Sequence, residues 1–95
     1  MNQRLKSQYG PWAIVTGASS GIGQAFATEL AAAGLNVVLV ARNESALANL
    51  ELILRNAHSI QTRVIVADLS ERAGVDEVVN GTKDLEVGLL VAVIW

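Results

Sequence analysis

Four short runs of continuously apolar residues, rich in β-branched side chains, recur along the chain with helix-like stretches between them. The runs cover residues 11–16, 36–40, 63–67 and 88–94. Continuous rather than alternating apolar character is typical of strands buried on both faces of a parallel sheet. Strands that alternate with helices imply crossover connections between parallel neighbours. The sequence therefore predicts an α/β fold: a partial doubly wound, Rossmann-type parallel sheet of about four strands and three helices.

The stretches between the runs carry apolar side chains at spacings of three and four residues, which is typical of amphipathic helices. The apolar face of the first helix is expected to hold Ile22, Phe26, Leu30 and Ala33. Gly34 is placed to end that helix. Ser45 is expected to cap a second helix that carries Leu47, Leu50 and Leu54. A third helix is expected to start near Ser70 and to use Val75, Val78 and Val79, although Gly74 disfavours it.

Composition and charge limit the classes of protein to which the chain can belong. Ninety-five residues, 52% of them apolar and 17% charged, are expected to form one small folded domain over residues 1–95. The net charge of −2, with acids and bases interspersed, gives no case for a nucleic-acid partner. No cysteine is present, and no apolar run approaches the ~18 residues of a membrane span. Because the N-terminus also lacks a secretory core, we expect a cytoplasmic protein without a membrane span.

The motif Thr-Gly-Ala-Ser-Ser-Gly-Ile-Gly, residues 16–23, joins the first run to the first helix. A helix N-terminus presents unpaired N–H groups and the positive end of a dipole, so it attracts phosphate. Gly17 is expected to make the tight turn, Gly21 to let a diphosphate approach the backbone, and Gly23 to let the helix pack closely on the sheet. Ser19 and Ser20 would add hydroxyl groups at the rim. An ordinary glycine-rich turn is the alternative, but the strand before it and the helix after it favour a phosphate site.

This motif resembles the cofactor signature of the short-chain dehydrogenase/reductase family, whose glycine spacing differs from that of other Rossmann enzymes. Three further stretches are similar to that family: Tyr9-Gly10-Pro11-Trp12, Leu39-Val40-Ala41-Arg42-Asn43 and Asp68-Leu69. The first of them is similar to the branch of hydroxysteroid and 3-oxoacyl reductases. The resemblance extends from Tyr9 to Ala92 and implies the N-terminal, NAD(P)-binding half of an oxidoreductase. It also implies that Ile22, inside the motif, lies at the cofactor.

Arg42, at the end of the second strand, is the residue that discriminates between the two nicotinamide cofactors. An acidic residue there would accept hydrogen bonds from a ribose 2′-hydroxyl, whereas an arginine accommodates a 2′-phosphate. We therefore expect NADP(H) rather than NAD(H), with Asn43 and Ser19 as further hydrogen-bond donors. The alternative is that Arg42 is only a solvated surface charge. The resemblance implies that Asp68 bonds the adenine amino group and that Leu69 adds a backbone contact. Asp68 and Ser70 are also candidates to cap the third helix.

The resemblance also defines what the chain lacks. The family uses a Tyr-x-x-x-Lys pair, an upstream Ser and an Asn, all of which lie beyond the fourth strand. Tyr9 is followed four residues later by Ala13, and the single histidine, His58, falls near the end of the second helix. We therefore expect no catalytic residue and, without a cluster of His, Asp and Glu, no metal site. Whether the chain acts as an enzyme is left open.

Three hypotheses about function follow from these residues. The chain is the NADP(H)-binding part of an oxidoreductase and inactive by itself, or a stand-alone NADP(H)-binding module, or a truncated product without function. The chain reads Ala92-Val93-Ile94-Trp95 where the family carries Asn-Asn-Ala-Gly or a small-residue variant. The fourth strand would form an open, apolar edge, which is a template for association. We therefore expect the isolated chain to form an oligomer or an aggregate through that strand.

Overall fold

The computed structural model describes residues 11–93, which form one four-stranded parallel sheet with three helices. The elements in chain order are β1 (Trp12–Thr16), α1 (Gly21–Ala32), β2 (Asn36–Ala41), α2 (Glu44–Ala57), β3 (Thr62–Val66), α3 (Arg72–Gly81) and β4 (Val87–Ala92). The strand order across the sheet is β3-β2-β1-β4. The predicted partial doubly wound α/β fold is confirmed. The interpretations that concern Tyr9, Gly10, Ile94 and Trp95 lie outside the described residues.

The continuous apolar runs predict burial on both faces correctly for the two central strands but not for the two edge strands. Every residue of β1 is buried, and so is every residue of β2 after Asn36. β3 is half-buried except for the exposed Val66, and β4 alternates between half-buried and exposed residues. The expectation that all four strands are buried on both faces is therefore wrong for β3 and β4. An edge strand has a neighbour on one side only, and the helices do not extend over its outer flank.

Helices cover both faces of the sheet, as the doubly wound arrangement predicts. One core cluster joins apolar residues of α1 and α2 to one face of β1 and β2, with Leu89 and Val91 of β4 packed against its margin. The opposite face carries a smaller cluster of Trp12, Ile14, Val38, Val40 and Ala67, against which Val78 of α3 packs. Two helices therefore cover one face, and α3 alone covers the other.

The buried face of α1 differs from the one that the apolar spacing predicts. The residues that α1 buries are Gly23, Ala27, Leu30 and Ala31. Ile22 and Phe26 are 52% and 43% exposed, so placing them on the packed face was wrong, whereas Leu30 is buried as expected. Small side chains let the helix axis approach the strands closely, and a phenylalanine in that layer would hold the helix away from the sheet.

The helix ends confirm one predicted cap and correct three. Gly34 has φ +92° and follows α1, where the N–H of Gly34 bonds the carbonyl of Ala31 and the N–H of Leu35 bonds that of Leu30. This is the Schellman arrangement that favours glycine. Asn43, not Ser45, caps α2, because its Oδ1 accepts the N–H of Ala46 at 3.1 Å.

Asp68 and Ser70 do not cap α3, which begins only at Arg72. The Oδ1 atom of Asp68 instead accepts the N–H of Ser70 at 2.9 Å and its hydroxyl at 2.6 Å, closing a local turn before the helix. Gly74 lies inside α3 at a point where a Cβ atom would collide with the backbone of Asp68. The glycine that disfavours helix by propensity is thus required by the close approach of α3 to that turn.

Arg63 joins three elements at the end of the sheet opposite to the strand carboxyl ends. Its guanidinium forms two hydrogen bonds with the carboxylate of Asp84, at 2.8 and 3.1 Å, and one with the carbonyl of Gly81 at 2.8 Å. The same guanidinium lies 5.9 Å from the ring centroid of Trp12, within the range of a cation–π contact. In residues 11–93, no helix is both long and apolar enough to cross a bilayer.

Candidate functional site

A cleft of about 320 Å³ opens at the carboxyl edge of the sheet, lined by the last residues of β1 and β2 and by residues that follow β3 and β4. Its lining comprises Thr16, Gly17, Ser19, Ser20, Val40, Ala41, Arg42, Asn43, Ala67, Leu69 and Val93. In an open parallel α/β sheet, ligands bind outside the carboxyl ends of the strands, at the point where the strand order reverses. β1 lies at that point here, between β2 and β4.

The loop after β1 turns sharply at Gly17, as the motif predicts. Gly17 has φ +63°, a left-handed conformation that side-chain-bearing residues rarely adopt. A Cβ atom at this position would also lie 2.9 Å from the carbonyl oxygen of Val93, beyond the end of β4. The N–H of Val93 in turn donates to Thr16 Oγ1 at 3.2 Å, so the carboxyl ends of β1 and β4 are joined at the floor of the cleft.

Ser20 sets the geometry of the first turn of α1. Its hydroxyl accepts the N–H of Gly23 at 3.0 Å and donates to the carbonyl of Gly17 at 2.8 Å. The sequence predicts this hydroxyl at the rim of the pocket, and the structure adds its role as the N-cap of α1. Within residues 11–93, the N–H groups of Gly21 and Ile22 have no hydrogen-bond acceptor. Two free donors therefore stand at the positive end of the helix dipole.

Gly21 and Gly23, the second and third glycines of the motif, have different surroundings. A Cβ atom built on Gly21 meets no heavy atom within 4 Å, so this backbone borders open space. A Cβ atom on Gly23 would instead collide with the carbonyl group of Gly17. Gly23 therefore lets α1 lie close to the loop that precedes it. The close contact with the sheet, which was predicted for Gly23, is made by the buried residues of α1 together.

Arg42 and Asp68 face each other between the cleft and a smaller hollow of about 240 Å³ that both residues line. Arg42 Nη1 lies 4.0 Å from Asp68 Oδ2, and the side chain of Arg42 is 80% exposed, so the guanidinium is held only loosely. The hydrogen bonds from Ser70, its hydroxyl first and its N–H second, lower the pKa of Asp68, and the charge of Arg42 adds to that effect. Asp68 is therefore an anion at neutral pH, with Oδ1 engaged by Ser70.

The structure brings most of the predicted site residues to one edge of the sheet. Those in the lining of the cleft are Gly17, Ser19, Ser20, Arg42, Asn43 and Leu69. Gly21 and Ile22 border an adjoining apolar hollow with Phe26, Asp68 lines the smaller hollow beside Arg42, and Gly23 is buried beneath the loop. Five further lining residues were not predicted from the sequence: Thr16, Val40, Ala41, Ala67 and Val93. Their common signal is position, because each lies at or next to the carboxyl end of a strand.

The chemistry that this arrangement offers is anion binding. The cleft is lined by the Ser19 hydroxyl and a loosely held guanidinium, and the two free amide donors stand at the adjoining first turn of α1. His58 follows the last residue of α2, a helix of 14 residues that begins at the cleft, so it lies about 21 Å away. No group of three or more His, Asp and Glu side chains is placed to hold a metal ion in the described part of the chain.

Comparison with known proteins places the sequence in one family. The family model described as short chain dehydrogenase matches residues 11–92. Inactive hydroxysteroid dehydrogenase-like protein 1 of Homo sapiens is 42% identical over 88 residues, which are 92% of this chain and 27% of that protein. A very-long-chain 3-oxoacyl-CoA reductase-like protein of Arabidopsis thaliana is 46% identical over 90 residues, covering 94% of this chain and 28% of that protein. The predicted likeness to the hydroxysteroid and 3-oxoacyl reductases is confirmed.

Solved structures agree with this assignment. A 7beta-hydroxysteroid dehydrogenase structure matches with a TM-score of 0.87 and 36% identity, over 95% of this chain and 35% of that one. A short-chain dehydrogenase from Sphingobium yanoikuyae in complex with NADPH (TM-score 0.78, 35% identity) matches over 85% of this chain and 32% of its own. One from Burkholderia phymatum in complex with NAD (TM-score 0.78, 34% identity) matches over 87% and 30%.

The chain thus spans about a third of the length of the proteins that it matches. The matched part carries the sheet, the glycine loop and the cleft described above. The chain belongs to the short-chain dehydrogenase family.

Proposed function

We propose that the chain binds NADP(H) in the cleft at the carboxyl edge of its sheet. The observation that carries the proposal is the pair of free N–H groups on Gly21 and Ile22 at the first turn of α1, where the backbone of Gly21 borders open space. These donors and the helix dipole would hold the diphosphate, with Gly17 shaping the turn and Ser19 adding a hydroxyl. Ser20 and Gly23 would act by positioning this turn, since Ser20 caps the N–H of Gly23.

A 2′-phosphate would be selected at the end of β2. Arg42 is exposed and held only by a 4.0 Å approach to Asp68, so its guanidinium is free to turn towards a phosphate and form charge-assisted hydrogen bonds. Asn43 uses its Oδ1 to cap α2, which leaves its NH₂ group available as a second donor. An NAD molecule offers only hydroxyls here, so Arg42 would gain little from it.

The adenine would lie between the ends of β2 and β3. Asp68 commits Oδ1 to Ser70, which leaves Oδ2, the atom nearest Arg42, to accept a hydrogen bond from the adenine amino group. Leu69, which is 39% exposed at the rim, would contact the ring beside it. The pKa of Asp68 is lowered by the Ser70 hydrogen bonds, so the acceptor stays ionised well below neutral pH.

In this proposal residues 1–95 act as one cofactor-binding unit of an oxidoreductase that acts on carbonyl or CH–OH groups. NADPH supplies a hydride when it is bound, and the residues of this chain bind and orient the dinucleotide. None of the site residues is assigned a catalytic role, so the chain by itself is catalytically incomplete. The stand-alone NADP(H)-binding module is the second candidate, and the name of the human relative, an inactive dehydrogenase-like protein, supports it.

The test is a titration of the isotope-labelled chain with NADPH and, separately, with NADH, followed by the amide resonances of residues 17–23 and 42. We expect NADPH to shift both groups of resonances and to bind more tightly than NADH. The substitution Arg42→Gln should remove that preference, and Arg55→Gln, which alters a cation in the last turn of α2, should keep it. A folded chain in which NADPH shifts neither group would refute the proposal.

Two further proposals concern the cellular compartment of the chain and its self-association. The absence of cysteine supports a reducing, cytoplasmic compartment. The outward edge of β4 supports self-association of the chain, because it is an apolar strand at the margin of the sheet.

A further inference from the structure

The hydroxyl of Ser70 has one partner in the described part of the chain, and that partner is a carboxylate. It donates to Asp68 Oδ1 at 2.6 Å, and the N–H of Ser70 donates to the same oxygen at 2.9 Å. A serine just before a helix usually caps it, but α3 begins only at Arg72, and its N-cap residue, Glu71, makes no side-chain hydrogen bond. The Ser70 hydroxyl is therefore engaged with Asp68 and not with the helix.

The backbone around Asp68 is held in place without the Ser70 hydroxyl. The N–H of Glu71 donates to the carbonyl of Asp68 at 3.2 Å, which closes the turn through main-chain atoms. α3 packs directly on the same backbone, where a Cβ atom on Gly74 would collide with it. The main effect of the Ser70 hydroxyl therefore falls on the side chain of Asp68, whose carboxylate it orients.

The two oxygens of the Asp68 carboxylate have different surroundings. Oδ1 accepts both hydrogen bonds from Ser70, whereas no hydrogen bond reaches Oδ2 from residues 11–93. Arg42 Nη1 lies 4.0 Å from Oδ2, which is longer than a hydrogen bond. A carboxylate without an anchor turns easily about its last side-chain bond, and the two hydrogen bonds on Oδ1 oppose that rotation. Oδ2 is therefore a fixed acceptor beside Arg42 that the chain itself does not use.

We propose that Ser70 positions the Asp68 carboxylate so that its Oδ2 atom selects a purine with a 6-amino group over one with a 6-oxo group. An ionised carboxylate only accepts hydrogen bonds, so it binds the amino group of adenine and repels the carbonyl oxygen of hypoxanthine. Ser70 acts as a positioning residue, because it touches the carboxylate and not the base. The inference rests on the proposed function, since it requires the adenine of the dinucleotide to lie beside Asp68.

The first experiment compares the Kd of NADPH with that of its hypoxanthine analogue, in which a 6-oxo group replaces the 6-amino group. Loss of a hydrogen bond to a charged group should weaken binding of the analogue by about 10- to 150-fold. Ser70→Ala leaves the carboxylate to be ordered by the ligand, which should lower the preference for NADPH by about 2- to 12-fold. Ser70→Thr keeps the hydroxyl and should keep the preference.

Ser59→Ala is the matched control for the loss of a serine hydroxyl. Ser59 is exposed between α2 and β3 and lies outside the lining of the cleft, so both Kd values should stay unchanged. A merely structural role of Ser70 would raise the Kd of NADPH and that of the analogue by the same factor. Thermal unfolding of each variant checks that it is folded before the Kd values are compared.

The second experiment uses Asp68→Asn and leaves Ser70 in place, so it does not require Ser70→Ala to fold. Because the N–H and the hydroxyl of Ser70 both donate to Oδ1, the amide oxygen of the asparagine takes that place and its NH₂ group takes the place of Oδ2. The variant then presents a donor where the native chain presents an acceptor. It should therefore bind the hypoxanthine analogue more tightly than NADPH.

The outcomes separate this inference from the proposed function. An equal rise of both Kd values in Ser70→Ala, a lost preference in Ser70→Thr, or an Asp68→Asn variant that still prefers NADPH would overturn the inference. Tight and equal binding of NADPH and its analogue by the native chain would overturn it too, while leaving the proposed function in place. A native chain that binds neither compound would overturn both.

Discussion

Replacing Gly21 by alanine separates the binding role of the glycine loop from its folding role. A Cβ atom at Gly21 meets no heavy atom within 4 Å, and Gly21 is not among the glycines with positive φ, which are Gly17 and Gly34 in the described residues. An alanine therefore fits the native backbone without strain. Gly→Ala at such a position restricts the unfolded chain and stabilises a protein by about 0.4–1 kcal/mol. We expect the free energy of unfolding of Gly21→Ala to stay equal or rise.

The effect on NADPH binding should have the opposite sign. The space above Gly21 is where the diphosphate is proposed to lie, against the N–H groups of Gly21 and Ile22. A methyl group that crowds a fitted ligand acts like overpacking, which costs about 1–3 kcal/mol. This range corresponds to a rise of about 5- to 150-fold in Kd. The valine variant, with a larger side chain in the same place, should fall at or beyond the upper end.

Two measurements are made on each variant: urea unfolding followed by tryptophan fluorescence, and a binding titration with NADPH. Gly23→Ala is the matched control, because its Cβ atom would collide with the carbonyl of Gly17 and should lower stability. Gly21→Ala with unchanged stability and unchanged Kd would refute the diphosphate assignment. Loss of stability in Gly21→Ala equal to that in Gly23→Ala would refute the distinction drawn between the two glycines.

Three further predictions concern the fold that supports the cleft. Ser20→Ala should lower the free energy of unfolding by about 1 kcal/mol, because it removes the N-cap of α1 and a donor to Gly17; equal stability in urea would contradict this. Gly74→Ala should destabilise the chain by about 1–3 kcal/mol or more, since its Cβ atom would collide with the Asp68 backbone, and thermal unfolding is the check. The hydrogen bond from Arg63 is the main cause that lowers the pKa of Asp84. The ionised carboxylate therefore stabilises the folded chain at pH values above the ordinary pKa of an aspartate, and this stabilisation is lost as the pH falls through the lowered pKa. The variant Asp84→Asn should therefore unfold with a weaker dependence on pH below about 4, and an unchanged acid limb would contradict the role of this pair.

The order of elements could be predicted from the sequence because it depends on local chemistry. Continuous β-branched runs predict buried strands, and the strand–glycine–helix order around residues 16–23 predicts a phosphate-binding turn. Gly17 and Gly34 adopt the left-handed conformations expected of them, because a backbone with positive φ excludes most other residues whatever the rest of the chain does. Arg42 could be singled out by its place at the end of the second strand, since parallel strands bring their carboxyl ends to one edge.

Contacts between elements were decided only by the tertiary structure. Spacing alone placed Ile22 and Phe26 on the packed face of α1, but the sheet accepts the smaller residues Gly23, Ala27 and Ala31, because a close helix–sheet contact rewards small side chains over apolar ones. Gly74 looks unfavourable by helix propensity and becomes necessary once α3 lies against the turn at Asp68. Val93 enters the cleft only because β4 pairs beside β1, a neighbour 77 residues away in the chain. Propensity and periodicity act over a few residues, so they determine which elements form, whereas packing between distant segments determines which side chains meet.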